Sequence, residues 1–102
     1  MARLVVMYKT PKDPVAFEKY YFERHVPIAR KIAGVRRYEV SRGPVMTPAG
    51  PAPLQLIATL HFDSVAAIQQ AFASPEGLEA AEDVQKFASG GVDMFIFDSR
   101  EI

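Results

Sequence analysis

Only two histidines stand in the 102 residues, and there is no cysteine. Proton-transfer chemistry near neutral pH therefore falls to His25 and His61, because imidazole is the side chain whose ordinary pKa lies nearest that range. His25 sits in Tyr20-Tyr21-Phe22-Glu23-Arg24-His25-Val26-Pro27, among aromatics and two positions before a proline. That proline lacks an N–H and clashes with the carbonyl four residues back, so the helix is expected to break there. The carbonyl of Glu23 is then left without its usual partner beside the imidazole. A titrating ring next to a disturbed helix can take or give a proton. A histidine retained only for the kink would instead be tied to a nearby carbonyl.

Phenols supply the second set of candidates. Tyr21 lies one helical turn before His25 with Tyr20 on the other flank, and Tyr38 is expected on the inward face of a strand, each able to orient a substrate or to serve simply as core. His61 alternates with Gln55, Ile57 and Thr59 on the strand face turned away from the helices. It is expected as a polar plug in a wet interior, with no direct pairing to His25. Asp83, one turn after Glu79, can pair with a cation or receive a proton, although an acidic residue on a helix is usually solvated.

Several chemistries are disfavoured. Two histidines without an H-E-x-x-H spacing do not make a metal ligand set, the absence of cysteine removes thiolate sites, and Gly90-Gly91 precedes a strand where a phosphate loop would precede a helix. No Gly-x-Ser-x-Gly elbow occurs. Twelve Lys and Arg balance twelve Asp and Glu, so no global field would gather nucleic acid or an anionic membrane. The apolar start is too short for a signal peptide, and no segment approaches the roughly 20 apolar residues of a membrane span. The expectation is one cytoplasmic domain over residues 1–102, working without cofactor or metal.

The elements that must hold these residues follow from periodicity. Arg3 to Lys9 reads as a strand ended by Thr10-Pro11, and Asp13-Pro14 as a helix cap with proline at the first turn. At about 100° per residue Phe17, Tyr20, Tyr21, Ile28 and Ile32 share a face, with His25 at its edge and Arg24 inside it. Gly34 closes the helix, and Val35 to Gly43 forms the second strand. The run from Gly43 to Pro53 is too rich in proline for a strand and long for a hairpin, which suggests a lid or an insertion. Leu54 to Phe62 alternates cleanly, its even-numbered residues facing the helices. Ser64 caps a helix carrying Val65, Ile68 and Phe72. Ser74-Pro75 restarts a second, with Leu78, Ala81 and Phe87 inward, before the final strand Val92 to Asp98.

The order β-α-β-β-α-β, with its second helix broken in two, defines an α+β ferredoxin-like sandwich, in which helices cover one sheet face. Yet the first and last strands carry large apolar side chains on both faces: Leu4, Val6, Met94 and Ile96 on one set, Val5, Met7, Phe95 and Phe97 on the other. A second copy packed face to face would dry the open side and give a homodimeric α/β barrel enclosing a hollow.

Taken together, His25-Val26-Pro27, Gly34 with Tyr38, Phe62, Ser74-Pro75-Glu76-Gly77 and Asp83 with Phe87 resemble the pattern of the EthD family, small proteins named after ethyl tert-butyl ether degradation. The match spans nearly the whole chain. One departure is Ala33-Gly34, where many relatives have Pro-Gly. The resemblance implies the same dimeric barrel and marks His25 and Asp83 as matching the family's positions. It points to oxidoreductase or degradative chemistry, while fold cousins perform isomerisation, cyclisation and lyase reactions. The expected function is a cofactor-independent enzyme on a small apolar molecule, with His25 as general acid or base, Tyr21 and Tyr38 as orienting phenols, and Thr59, His61 and Asp83 lining the pocket. The alternatives are a non-catalytic binding dimer and a haem-binding barrel with His25 as ligand, since related barrels include haem binders.

Overall fold

Strand alternation decides which side chains meet the helices. In the computed structural model, which describes residues 1–102, β1 (Ala2–Lys9) buries Ala2, Leu4, Val6 and Tyr8, while Arg3, Val5 and Met7 remain half-buried on the other side. β5 (Leu54–Phe62) does the same with Leu56, Ala58, Leu60 and Phe62. With β2 (Arg37–Val40) and β6 (Val92–Asp98) these strands form one antiparallel sheet in the order β2-β5-β1-β6. This is the ferredoxin-like arrangement, and its core of 17 residues lies between the sheet and one layer of helices.

The first helical stretch starts as expected. Asp13 accepts from the N–H of Ala16 and Pro14 opens α1 (Pro14–Tyr20), a position where the missing proline N–H costs nothing. The chain does not stop at Pro27. Over Tyr21–His25 the helix widens to a π turn, with the Val26 N–H bonded to the Tyr21 carbonyl, and then continues as α2 (Val26–Ala29). The extra residue absorbs the missing donor of Pro27 and also resets the phase. A straight α-helix drifts about 40° every four residues, yet here Phe17, Tyr21, His25 and Ala29, four apart, are all buried. His25 therefore moves from the edge of the stripe into the core, and Arg24, expected inside, is exposed. Gly34 then turns the chain at φ 90°, a conformation that favours glycine.

Ser64 caps α3 (Val65–Ala73) by accepting from Ala67, and Ser74 caps α4 (Pro75–Phe87) by accepting from Gly77. Gly77 is dictated by space: a Cβ there would lie 2.0 Å from the Ala71 carbonyl oxygen, so only glycine lets α4 turn this tightly off α3. The buried face of α4 is Gly77, Ala80, Asp83, Val84 and Phe87. Leu78 and Ala81, expected inward, are exposed, whereas Phe87 is buried as expected.

Residues 43–53 are not strandless. Met46–Thr47 (β3) pairs with Gly50–Pro51 (β4) in a small ribbon, held by the Thr47 hydroxyl donating to the Gly50 carbonyl at 2.8 Å. Pro51 is tolerated because a two-stranded ribbon leaves its outer backbone edge to solvent. β6 is the other unprotected element. Met94 and Ile96 on one face and Phe95 and Phe97 on the other are all between 41% and 52% exposed. No helix is long and apolar enough to cross a membrane.

Candidate functional site

The π turn delivers His25 to a buried carboxylate. Asp83, on the inner face of α4 and only 2% exposed, accepts from His25 Nδ1 at 2.9 Å through Oδ2 and from the Tyr20 hydroxyl at 2.7 Å through Oδ1. Lys86, one turn on, brings its ammonium to 3.9 Å of the same Oδ1. Asp83, expected from the resemblance to line a pocket and from its helix to be solvated, is neither solvated nor lining the cavity beside His25; it is one of the most enclosed polar groups in the chain. Because a carboxylate only accepts, Nδ1 must carry the proton, and the neutral imidazole presents Nε2 as a base. No protein atom hydrogen-bonds that nitrogen.

Burial pushes the pKa of His25 below its ordinary value of 6.5, while the hydrogen bond to Asp83 and its negative charge act in the opposite direction. Desolvation wins, so the pair is a neutral imidazole on a carboxylate. The ring is held between Phe87, at 4.8 Å, and Tyr21, at 5.3 Å between centroids. Such packing leaves little freedom of orientation.

His25 lines an apolar cavity of about 250 Å³ between the sheet and the helices. Leu60, Tyr8 and Tyr38 come from the sheet, Tyr21 and Val84 from the helices, and the half-exposed Met94 and Ile96 of β6 form its open rim. The hollow therefore lies on the helix-covered face within one chain, whereas the sequence pattern had suggested one between two sheets. None of residues 43–53 lines it. At this size the cavity lies below the roughly 300–1,000 Å³ of sites for drug-sized ligands.

Two phenols meet at its edge. The hydroxyls of Tyr21 and Tyr38 are 2.6 Å apart, and burial raises both pKa values, so both stay protonated at working pH. Of the expected site residues, His25, Tyr21 and Tyr38 surround this cavity, with Asp83 directly behind His25. Thr59 and His61 lie on the opposite sheet face. There Arg3 donates to His61 Nδ1, and His61 Nε2 donates to Glu39 at 2.7 Å. With both ring nitrogens engaged, His61 has none left for a ligand.

Tyr8 went unnoticed in the sequence. It is 1% exposed, lines the cavity and makes no hydrogen bond to protein through its hydroxyl. The available signal was parity, since Tyr8 follows Leu4 and Val6 on the helix-facing side of β1. No three His, Asp or Glu side chains converge in a way that could hold a metal ion.

A base backed by a carboxylate, flanked by phenols in a small apolar cavity of a ferredoxin-like domain, describes a class of site able to move protons. The EthD domain family matches residues 9–91, and the chain belongs to that family. It is 40% identical over 102 residues to an uncharacterized 11.0 kDa protein from the thcB-thcC intergenic region of Rhodococcus erythropolis, covering all of this chain and 98% of the other. Among solved structures, an EthD family protein from Bacillus halodurans C-125 superposes with a TM-score of 0.89 at 32% identity, over 98% of this chain and 99% of that one. At lower identity the fold alone is shared. SnoaB, a cofactor-independent oxygenase from Streptomyces nogalater, has a TM-score of 0.68 at 18% identity, over 99% of this chain and 94% of its own. A dimeric protein of unknown function from Bacteroides fragilis has 0.66 at 16%, over 96% and 95%.

Proposed function

We propose that this chain is a cofactor-independent enzyme that moves a proton on a small, largely apolar molecule of one or two rings. What supports the reading is a neutral His25 that lines the apolar cavity, its Nδ1 held by Asp83 and its Nε2 without a protein hydrogen-bond partner. His25 is the general base and returns the proton as the acid. Asp83 is a positioning residue that fixes the tautomer. Tyr21 and Tyr38 orient the substrate through the proton their shared hydrogen bond leaves over. SnoaB, a protein of the same fold, is described as working without a cofactor, which is compatible with this chemistry.

The working form is a homodimer in which a second copy covers Val5, Met7, Phe95 and Phe97. Exposed aromatics on a sheet face call for a cover, and the helices occupy the other side. The reading is tested by following turnover of a panel of one- and two-ring ketones, phenols and esters with no cofactor added. One class should react faster than in buffer, and His25→Asn should lower that rate by about 10²–10⁴-fold while the circular dichroism spectrum is unchanged. Equal rates in the two proteins, or no class accelerated by the wild type, would remove the proposal.

A further inference from the structure

Three phenols line the cavity: Tyr8, Tyr21 and Tyr38. Each hydroxyl has one proton to donate. The Tyr21–Tyr38 bond consumes one, so one proton from that pair and the proton of Tyr8 have no protein acceptor. Tyr8, Tyr21 and Tyr38 all line the cavity, so a molecule there that accepts these protons is held more tightly than one that cannot. Tyr8 cannot turn away to find another acceptor. Its ring is wedged edge-on against Phe17 at 5.3 Å and Tyr21 at 5.6 Å, and tilted on Phe87 at 5.4 Å. Phe87 and Tyr21 are also the two rings that clamp His25, and Tyr8 and His25 line the same cavity.

The complement of these groups is specific. It is a flat apolar body carrying an oxygen that accepts hydrogen bonds from phenols, and beside it a proton acidic enough for an imidazole. We infer that Tyr8 is a catalytic residue, the donor that holds a substrate carbonyl, and that the substrate class is a one- or two-ring ketone with an enolisable C–H. The inference rests on the proposal that His25 is the base. In the step it describes, Nε2 removes the proton from the carbon next to the carbonyl. The C–H electron pair becomes the C=C bond of an enolate, and the carbonyl π pair moves onto oxygen. There it accepts from Tyr8 and from the spare phenol proton of the Tyr21–Tyr38 pair. Nothing is oxidised, and the proton can be returned from His25. Burial, and then the neighbouring Tyr38 and Asp83, raise the pKa of Tyr8, so its hydroxyl remains a donor throughout the working range. Preorganised donors aimed at an oxygen that gains charge are worth about 10²–10³-fold each when removed.

The probe is 2-tetralone, whose α-hydrogens exchange with deuterium from heavy water and are counted by NMR or mass spectrometry. The wild-type chain should accelerate exchange over buffer, and Tyr8→Phe, which keeps the packed ring, should slow it by about 10²-fold. Binding of 2-naphthol, an enol analogue, and of naphthalene, the same rings without oxygen, separates chemistry from packing. Tyr8→Phe should weaken 2-naphthol by up to about tenfold, one hydrogen bond, and leave naphthalene unchanged. Exchange that survives Tyr8→Phe but is lost in His25→Asn would overturn the role of Tyr8 and keep the base. Turnover of a phenol or ester that needs His25, without exchange of 2-tetralone, would overturn the ketone class. Parallel loss of 2-naphthol and naphthalene binding would reduce Tyr8 to a packing residue.

Discussion

Replacing Asp83 by asparagine separates what the carboxylate does for stability from what it does for proton transfer. Asp83 is 2% exposed and accepts two hydrogen bonds, from His25 and Tyr20. Bonds to a charged acceptor contribute about 1.5–3 kcal/mol each against about 0.5–1.5 kcal/mol for neutral ones, so Asp83→Asn loses roughly 2–3 kcal/mol from the pair. Opposing this, the variant no longer keeps a carboxylate out of water, a cost of several kcal/mol, and it leaves no orphaned charge because His25 is neutral. The two nearly cancel, and urea unfolding should find Asp83→Asn within about 2 kcal/mol of wild type. Asp83→Ala, which strands the Nδ1–H and the Tyr20 hydroxyl, should cost about 2–5 kcal/mol. The effect on chemistry is different in kind. An asparagine amide can donate to Nδ1, which puts the imidazole proton on Nε2 and removes the base. It also takes away the charge that raises the His25 pKa, so desolvation acts alone and the acid limb of the pH–rate profile moves further down. Turnover at pH 7.5 should fall by about 10²–10⁴-fold in a protein that is still folded. Turnover close to wild type in Asp83→Asn, or an acid limb displaced upward, would refute the reasoning.

The same pKa gives stability a signed pH dependence. His25 binds its proton more weakly folded than unfolded, so below pH 6.5 the unfolded chain holds more protons. Stability should fall as pH drops from 6.5 toward the folded pKa, by at most about 1.4 kcal/mol per pH unit, and this contribution should be flat above 6.5. Urea titrations of wild type and His25→Asn would show it as a difference, and an equal slope in both would contradict it. Gly77→Ala should destabilise by about 3 kcal/mol or more, because the new Cβ meets a backbone oxygen at 2.0 Å that cannot move cheaply; an unchanged melting temperature would count against that packing. Phe95→Glu, on the open sheet face, should give a folded monomer in sedimentation, and the wild type should sediment as a dimer. A wild type that sediments as a single chain at micromolar concentration would remove the dimer.

Strand alternation made the sheet and its faces legible, since a period of two admits only one split of Leu54 to Phe62. The caps at Asp13, Ser64 and Ser74 were legible for a similar reason: an oxygen-bearing side chain before an apolar helical run has few other uses. What could not be read was phase across an irregularity. A uniform 100° per residue put Arg24 inside, and only the π turn over Tyr21–His25, ahead of Pro27, brings His25 in its place. After the Ser74–Gly77 corner the buried face likewise holds Ala80 and Asp83 where Leu78 and Ala81 were expected. Tyr8 escaped, and Asp83 was marked only by the family resemblance, for one common reason. Their importance comes from partners 58 residues away in the chain for Asp83, and from the lack of any partner for the Tyr8 hydroxyl, and neither is a property of local sequence. The family pattern did mark Asp83 beside His25, which periodicity alone would have left on the surface.

The decisive measurement is the protonation of the two ring nitrogens of His25, read from long-range ¹H–¹⁵N NMR correlations of the labelled protein at pH 7.5. The ring should be neutral, with the proton on Nδ1 and a bare Nε2, and that tautomer should be lost in Asp83→Asn. A proton on Nε2, or a doubly protonated ring at that pH, would contradict the role of His25 as base.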